Sequence, residues 1–306
     1  MEFSQVPACI FMVRPATFGF NSDTASTNAF QHSASGTENI QDTALAEFDA
    51  AVETIKNAGI ELLVMDDTLF PEKPDAIFPN NWISLHEDGK LVLYPMMAPN
   101  RRLERRREYI EMIINRFGHH EIIDLTFYEE QHRYLEGTGS IVFDHPNKIA
   151  YSCRSLRTDE AVLHDLCTRL GYTPFLFDAV DENGKSIYHT NVMFSVGEKV
   201  AVVCLDSIWS ESDQERLLGS FASTGHRVIS ISYQQMRSFA GNIIEVQSKK
   251  GKRFNLLSQN ALESLLDGQI KELSRYVELL PVSIPTIEKY GGGGIRCMVA
   301  GIHMKV

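Results

Sequence analysis

The sequence predicts a single α/β domain, residues 1–306, built from repeated strand–helix–strand units. Three observations lead there. Of 306 residues, 43% are apolar and 23% charged, an ordinary globular balance that supplies enough apolar surface to offset the entropy of ordering. Short β-rich runs alternate with stretches of helical periodicity, and no linker or compositional break divides the chain. Finally, polar clusters interrupt apolar runs at Asn81, Glu136, His189, Asn242 and Cys297, with separations of 55, 53, 53 and 55 residues. A near-constant period of that size is the trace of a repeated supersecondary unit. Five such units closing into a ring would bring equivalent strand ends to one centre.

The elements follow in order. Runs rich in Val, Ile, Leu, Phe and Tyr predict strands over 10–13, 61–65, 82–85, 90–94, 122–124, 140–144, 148–152, 173–178, 192–196, 200–205, 227–230, 243–247 and 298–300. Apolar residues spaced at three and four predict helices over 43–58, 101–117, 158–170, 212–224 and 261–276. Asp42, Ser210 and Ser258 stand where N-caps belong, and Gly59, Gly118, Gly171 and Gly225 follow predicted helix ends.

Charge and cysteine usage exclude several function classes. Lys and Arg number 29 against 40 Asp and Glu, a formal charge of −11, which disfavours nucleic acid and anionic membrane as partners. No run approaches the roughly 20 apolar residues of a membrane span. Glu2 and the lack of a basic stretch argue against a signal peptide, so a cytoplasmic protein is expected. Five cysteines, an odd number without a CxxC pair, suggest neither a disulfide framework nor a cysteine zinc site. Cys9, Cys153, Cys167 and Cys204 lie in apolar or helical surroundings and read as core. His119-His120-Glu121 lacks the spaced partners of a metal site, so no metal is expected, and without a Walker or Rossmann pattern no cofactor either.

The chemistry-bearing segments are few. Tyr290 is followed by Gly291-Gly292-Gly293-Gly294-Ile295-Arg296-Cys297, a thiol directly behind a glycine run. The run is either a flexible loop or a close backbone approach to a ligand, and the thiol either packs or acts as a nucleophile. His189 is the candidate base, opening an apolar strand with Asn191 on the same face. Glu136, in Leu135-Glu136-Gly137-Thr138-Gly139-Ser140, is either a turn residue or the carboxylate that orients an imidazole. Arg154 and Arg157 either hold a substrate carboxylate or make surface ion pairs. Arg101-Arg102-Leu103-Glu104-Arg105-Arg106-Arg107 reads as a solvated helical face. Asn21 opens a polar stretch to Gln31 that reads as a covering loop.

Together these segments resemble the amidinotransferase superfamily of guanidino- and ureido-modifying enzymes, with the greatest likeness to its short citrulline-hydrolase type. The resemblance spans nearly the whole chain. It rests on Arg14-Pro15-Ala16-Thr17-Phe18-Gly19-Phe20-Asn21, Ala76-Ile77-Phe78-Pro79-Asn80-Asn81-Trp82, residues 135–140, His189-Thr190-Asn191, Phe239-Ala240-Gly241-Asn242 and Gly294-Ile295-Arg296-Cys297-Met298. It implies a five-fold pseudosymmetric α/β-propeller (pentein-like) and a cofactor-free hydrolase of a small ureido or guanidino amino acid. Cys297 would attack the central carbon, His189 would protonate the leaving amine and then activate water, and Glu136 would hold the site. Arginine deiminases carry acids where this chain has Asn81 and Asn191. Asn matches both the donor and the acceptor of a neutral ureido group, which favours citrulline. Asp75 stands where dimethylarginine dimethylaminohydrolase has an acidic substrate contact, and Asn21, Asn242 and Arg154 complete the expected binding set. Amidinotransfer or deimination of a guanidinium, a non-catalytic ligand-binding role, and the formation of a homo-oligomer all remain open.

Overall fold

The structure, a computed structural model, describes residues 3–25, 27–33 and 39–303. Its strands are β1 (Cys9–Arg14), β2 (Glu61–Asp66), β3 (Ile83–Leu85), β4 (Lys90–Leu93), β5 (Glu121–Asp124), β6 (Val142–Asp144), β7 (Ile149–Cys153), β8 (Thr173–Phe177), β9 (Phe194–Val196), β10 (Val200–Val203), β11 (Arg227–Ser230), β12 (Ile244–Gln247), β13 (Arg253–Ser258), β14 (Glu278–Val282) and β15 (Ala300–Ile302). They fall into triplets of one design. In β3–β4–β5, β6–β7–β8, β9–β10–β11 and β12–β13–β14 the first strand pairs antiparallel with the second. The second then pairs parallel with the third. A parallel pair needs a crossover, and helices Arg107–Phe117, Glu160–Leu170 and Glu211–Thr224 supply it in the first three triplets. Gln259–Ser264 and Asp267–Leu273 share that task in the fourth.

The fifth triplet is assembled from both ends of the chain. β15 pairs antiparallel with β1, which pairs parallel with β2 across the helix Ile40–Asn57. β15 also meets β3 through Ile302 and Leu85, joining two triplets into one six-stranded sheet. This is the pseudo-fivefold mixed α/β arrangement that the period of about 54 residues anticipates.

Local physics explains most boundaries. Gly118, Gly171 and Gly225 adopt the left-handed conformation at helix C-termini. Ser210 and Ser258 cap as expected, whereas Asn39, not Asp42, caps the first long helix by accepting from the Asp42 amide. The helix expected over 101–117 is interrupted: Pro99–Glu104 is a 3₁₀ turn, and the α-helix starts at Arg107. The helix expected over 261–276 breaks at Leu265, which is extended. Strands β13 and β14 were not expected. Asn255 and Pro281 disguise them, and Pro281 is tolerated because β14 is an edge strand.

One difference places the site. Several strands expected at 82, 140, 192 and 298 start later, because the preceding residues coil into helical turns at Pro79–Asn81, Gly137–Ser140 and Thr190–Met193 and into a turn at 294–298. Asn191 therefore sits in a helical turn and does not share a strand face with His189. Each turn delivers a polar side chain to the end of a first strand, and those ends converge.

Candidate active site

Cys297 lies in the turn before β15, closed by hydrogen bonds from its amide to Gly294 O and from the Met298 amide to Ile295 O. Its side chain is buried. The sulfur accepts from Asn242 Nδ2 at 3.2 Å and from Asn191 Nδ2 at 3.5 Å. Burial pushes the thiol up, against the opposing pull of the Asn242 amide, the Arg296 charge and the Asn191 amide. The two amides are thus aimed at the charge that appears when the sulfur ionises.

His189 Nε2 is 2.9 Å from Glu136 Oε2. Glu136 also accepts from the Met97 amide at 3.0 Å and from Arg157 Nη1 at 3.4 Å. Burial opposes a charge on Glu136, but Arg157, His189 and Arg101 outweigh it and hold the carboxyl well below the usual carboxylate range. Burial takes His189 down to about 4 despite its acidic neighbour. At neutral pH the pair is therefore carboxylate and neutral imidazole, with Nε2–H donating to Glu136 and Nδ1 free to take a proton. Gly139 makes room for this ring. A methyl at its α-carbon would lie 2.4 Å from Asn81 Nδ2 and 2.8 Å from His189 Nδ1.

Two buried arginines complete the cavity. Arg101 donates to Asn81 Oδ1 at 2.8 Å, forks onto Glu104 at 2.8 and 3.0 Å, and stands 3.7 Å from Asp75. Arg157 reaches Glu136 and Thr27 Oγ1 and packs 5.0 Å from the centre of the Tyr188 ring. Asp75 accepts from Asn21 Nδ2 at 2.7 Å, while its Oδ1 has no hydrogen-bond partner. Asp75, Asn81, Arg101, Arg157, His189, Cys297 and Gly291–Gly293 together line a cavity of about 20 Å³. That admits about one water. The segment from Asn21 onward packs across it, with Asn28 Nδ2 donating to Gly291 O at 3.3 Å. The glycine run is tightly packed: a side chain at Gly293 would meet Phe78 at 2.9 Å and the Cys297 Cβ at 3.1 Å.

The structure thus brings Cys297, His189, Glu136, Asn81, Asn191, Asn242 and Asp75 together, with Asn21 behind Asp75. It does not bring Arg154 there. Arg154 pairs with Glu160 at 3.1 Å and Asp178 at 3.4 Å on the surface, because the turn after β7 sends it outward and Arg157 inward. Arg101 corrects a second expectation, since it is buried and not part of a solvated face. Its only local signal was Glu104 three residues on. Among the described residues, no group of three or more His, Cys, Asp or Glu side chains is placed to hold a metal ion, and no helix is long and apolar enough to cross a membrane.

Residues 14–304 match the family described as N,N dimethylarginine dimethylhydrolase, eukaryotic. The chain belongs to this family. It is thereby a member of the amidinotransferase superfamily, and its family and structural neighbours are hydrolases acting on guanidino C–N bonds. Solved structures support the fold. The N-terminal domain of ArgZ, an arginine dihydrolase from the ornithine-ammonia cycle in cyanobacteria, matches with a TM-score of 0.75 at 13% identity over 97% of this chain and 98% of that one. Against full-length ArgZ the TM-score is 0.74 at 13% identity, and 97% of this chain spans only 41% of that protein. A mutant of the dimethylarginine hydrolase DDAH from Pseudomonas aeruginosa, complexed with citrulline, matches with a TM-score of 0.65 at 15% identity over 98% of this chain and all of that one. No curated protein sequence matches the chain significantly. The family's pseudo-fivefold fold accounts for the convergence of five turns on one cavity.

Proposed function

We propose that this family member hydrolyses citrulline, with Cys297 as nucleophile, His189 as proton carrier and Glu136 as its anchor, the whole chain acting as one domain. The observation that carries the reading is the amide lining around the thiol. Asn81, Asn191 and Asn242 border the reacting end, and of the two carboxylates beside it Glu136 is paired with His189 and Arg157 while Asp75 stands 3.7 Å from Arg101. A guanidinium offers only N–H donors and a charge, and would leave the one free amide donor, Asn81 Nδ2, facing a donor. A ureido group offers a carbonyl as well. Arg101 and Arg157 make the cavity cationic, which suits an acidic substrate group, and the unpartnered oxygen of Asp75 suits an ammonium, the two charges of a free amino acid.

The neutral resting pair sets the order of proton transfers. Cys297 passes its proton to His189 Nδ1 as sulfur bonds to the ureido carbon. Collapse of the tetrahedral adduct breaks the C–N bond, and His189 returns the proton to the departing amine of ornithine. Water then adds to the S-carbamoyl group, gives its proton to His189, and carbamate leaves as the sulfur is reprotonated. Five free cysteines, one of them the nucleophile, suit a reducing cytoplasmic setting.

A panel of citrulline, arginine, N-succinylarginine, methylarginines and agmatine, with products identified by mass, tests the substrate. Ornithine from citrulline supports the proposal, and turnover of arginine alone overturns it. The second reading, a guanidinium substrate, draws on the family description, and methylarginine turnover would favour it. Acid quench during turnover should trap an S-carbamoyl adduct on Cys297. Labelling of Cys9 or Cys204 with Cys297 silent would remove the nucleophile assignment.

A further inference from the structure

The first strands of all five triplets surround a second cavity, of about 60 Å³, on the ring axis behind the thiol. Asn191 borders both spaces: its Nδ2 donates to the Cys297 sulfur, while the residue also lines the rear cavity and its Oδ1 has no hydrogen-bond partner. Arg296, the neighbour of the nucleophile, lines the same rear cavity. Among the described residues its guanidinium makes one hydrogen bond, from Nη1 to Val299 O at 2.7 Å, and no ion pair. Two buried histidines, His86 and His303, line the cavity with Nδ1 atoms that lack partners. Glu245 also lines it, with one carboxylate oxygen taken by the Glu198 amide and the other 3.7 Å from Arg253.

A fixed cation that makes no ion pair, beside neutral imidazole edges and with the Glu245 carboxylate engaged by the Glu198 amide and Arg253, is the recognition set for a small anion. The free part of the guanidinium fork matches a planar O–C–O group, and the volume holds a one-carbon ion but no amino acid. We propose that this axial cavity binds a one-carbon oxyanion of the formate, bicarbonate or carbamate class, with Arg296 as its main ligand, and that occupancy slows the nucleophile. The slowing follows from charge: the Arg296 cation favours the Cys297 thiolate, and a bound anion cancels that help. The link to carbamate as the reaction's own product rests on the citrulline reading, whereas the anion site itself does not.

The test uses the whole protein with Cys297 first carbamidomethylated, so that the thiol is blocked, and ¹³C-formate titrated by NMR. Saturable binding in this protein, lost in Arg296→Gln, is expected. Ser195→Met, which fills the cavity from β9 and leaves residue 296 an arginine, should lose it too and covers the case in which Arg296→Gln fails to fold. In unmodified protein, formate at constant ionic strength should slow alkylation of Cys297 by about threefold to tenfold, the scale of half to one unit in thiol pKa. Bicarbonate should act likewise, and chloride at the same concentration should not. No saturable binding, or binding untouched by both substitutions, overturns the site. Because formate needs no turnover, failure of citrulline as substrate would leave this result standing, and failure here would leave the hydrolase reading intact.

Discussion

Asn81 and Asn191 flank the reacting end, and their replacement by Asp separates substrate charge selection from thiol activation. Asn81 Oδ1 is held by Arg101 Nη1, so in Asn81→Asp one carboxylate oxygen keeps that partner while the other replaces the free amide nitrogen near His189. Facing a ureido carbonyl, that oxygen loses a donor and gains an unpaired charge; facing a guanidinium it gains a charge-assisted hydrogen bond. One such bond contributes about 1.5–3 kcal/mol, so the citrulline-to-arginine ratio of kcat/KM should fall roughly 10- to 150-fold. Asn191→Asp does something different. It exchanges a donor 3.5 Å from the Cys297 sulfur for a negative charge. Like charges at that distance repel by about 5 kcal/mol at an effective dielectric constant near 20, enough to suppress the thiolate for any substrate. Steady-state kinetics on both substrates, with iodoacetamide alkylation rates for the thiol, tell the two apart. Asn81→Asp should change the ratio and spare alkylation, and Asn191→Asp should abolish alkylation and leave the ratio uninformative. An unchanged ratio in Asn81→Asp with intact folding would refute the argument from amide lining.

Further outcomes follow from the same geometry. Glu136→Gln removes the charge that anchors His189 and leaves Arg157 buried without its carboxylate, so turnover should drop by at least about a hundredfold and stability by about 3–5 kcal/mol, read by denaturant melts. Gly139→Ala should cut kcat while circular dichroism stays native, because the added methyl displaces His189 and Asn81 and no core residue; normal kcat would show that the ring is not held where described. Lowering the pH should destabilise the fold early. Burial holds His86 to about 3 and His189 and His303 to about 4, below the unfolded value near 6.5, so the unfolded chain binds the extra protons and stability is lost as pH falls through 6.5 toward 4. At pH 5 the three together cost about 6 kcal/mol, a large part of a typical total of about 5–15 kcal/mol. A Tm that stays flat between pH 7 and pH 5 would contradict their burial as neutral groups. Cys297→Ser should retain the wild-type Tm and lose turnover, since a serine hydroxyl ionises far less readily than a thiol.

The repeat and its polar turns are legible in the linear sequence. Asn81, Glu136, His189, Asn242 and Cys297 recur at nearly equal spacing because each sits in the turn that leads into the first strand of a triplet, and a turn at the mouth of an apolar strand leaves a local signature. The helix ends at Gly118, Gly171 and Gly225 were equally local, set by backbone conformation within one residue. The remaining features depend on partners from other segments of the chain. Arg101 lines the cavity because Asn81 and Asp75 come to it from 20 and 26 positions upstream, and nothing in a basic heptad distinguishes the one arginine that turns inward. Arg157 faces the cavity and Arg154 the solvent because Glu136 and Thr27 wait on one side, while Glu160 and Asp178 wait on the other. β13 and β14 became strands through pairing with each other and with β12, which overrode an asparagine and a proline. The rear cavity exists only where five first strands from the length of the chain surround one axis. Local pattern records what a residue does to its own backbone; burial, charge pairing and access arise from the convergence of separate segments, from Asn81 and Arg101, 20 residues apart, to β1 and β15 at the two ends of the chain, which a linear reading cannot place.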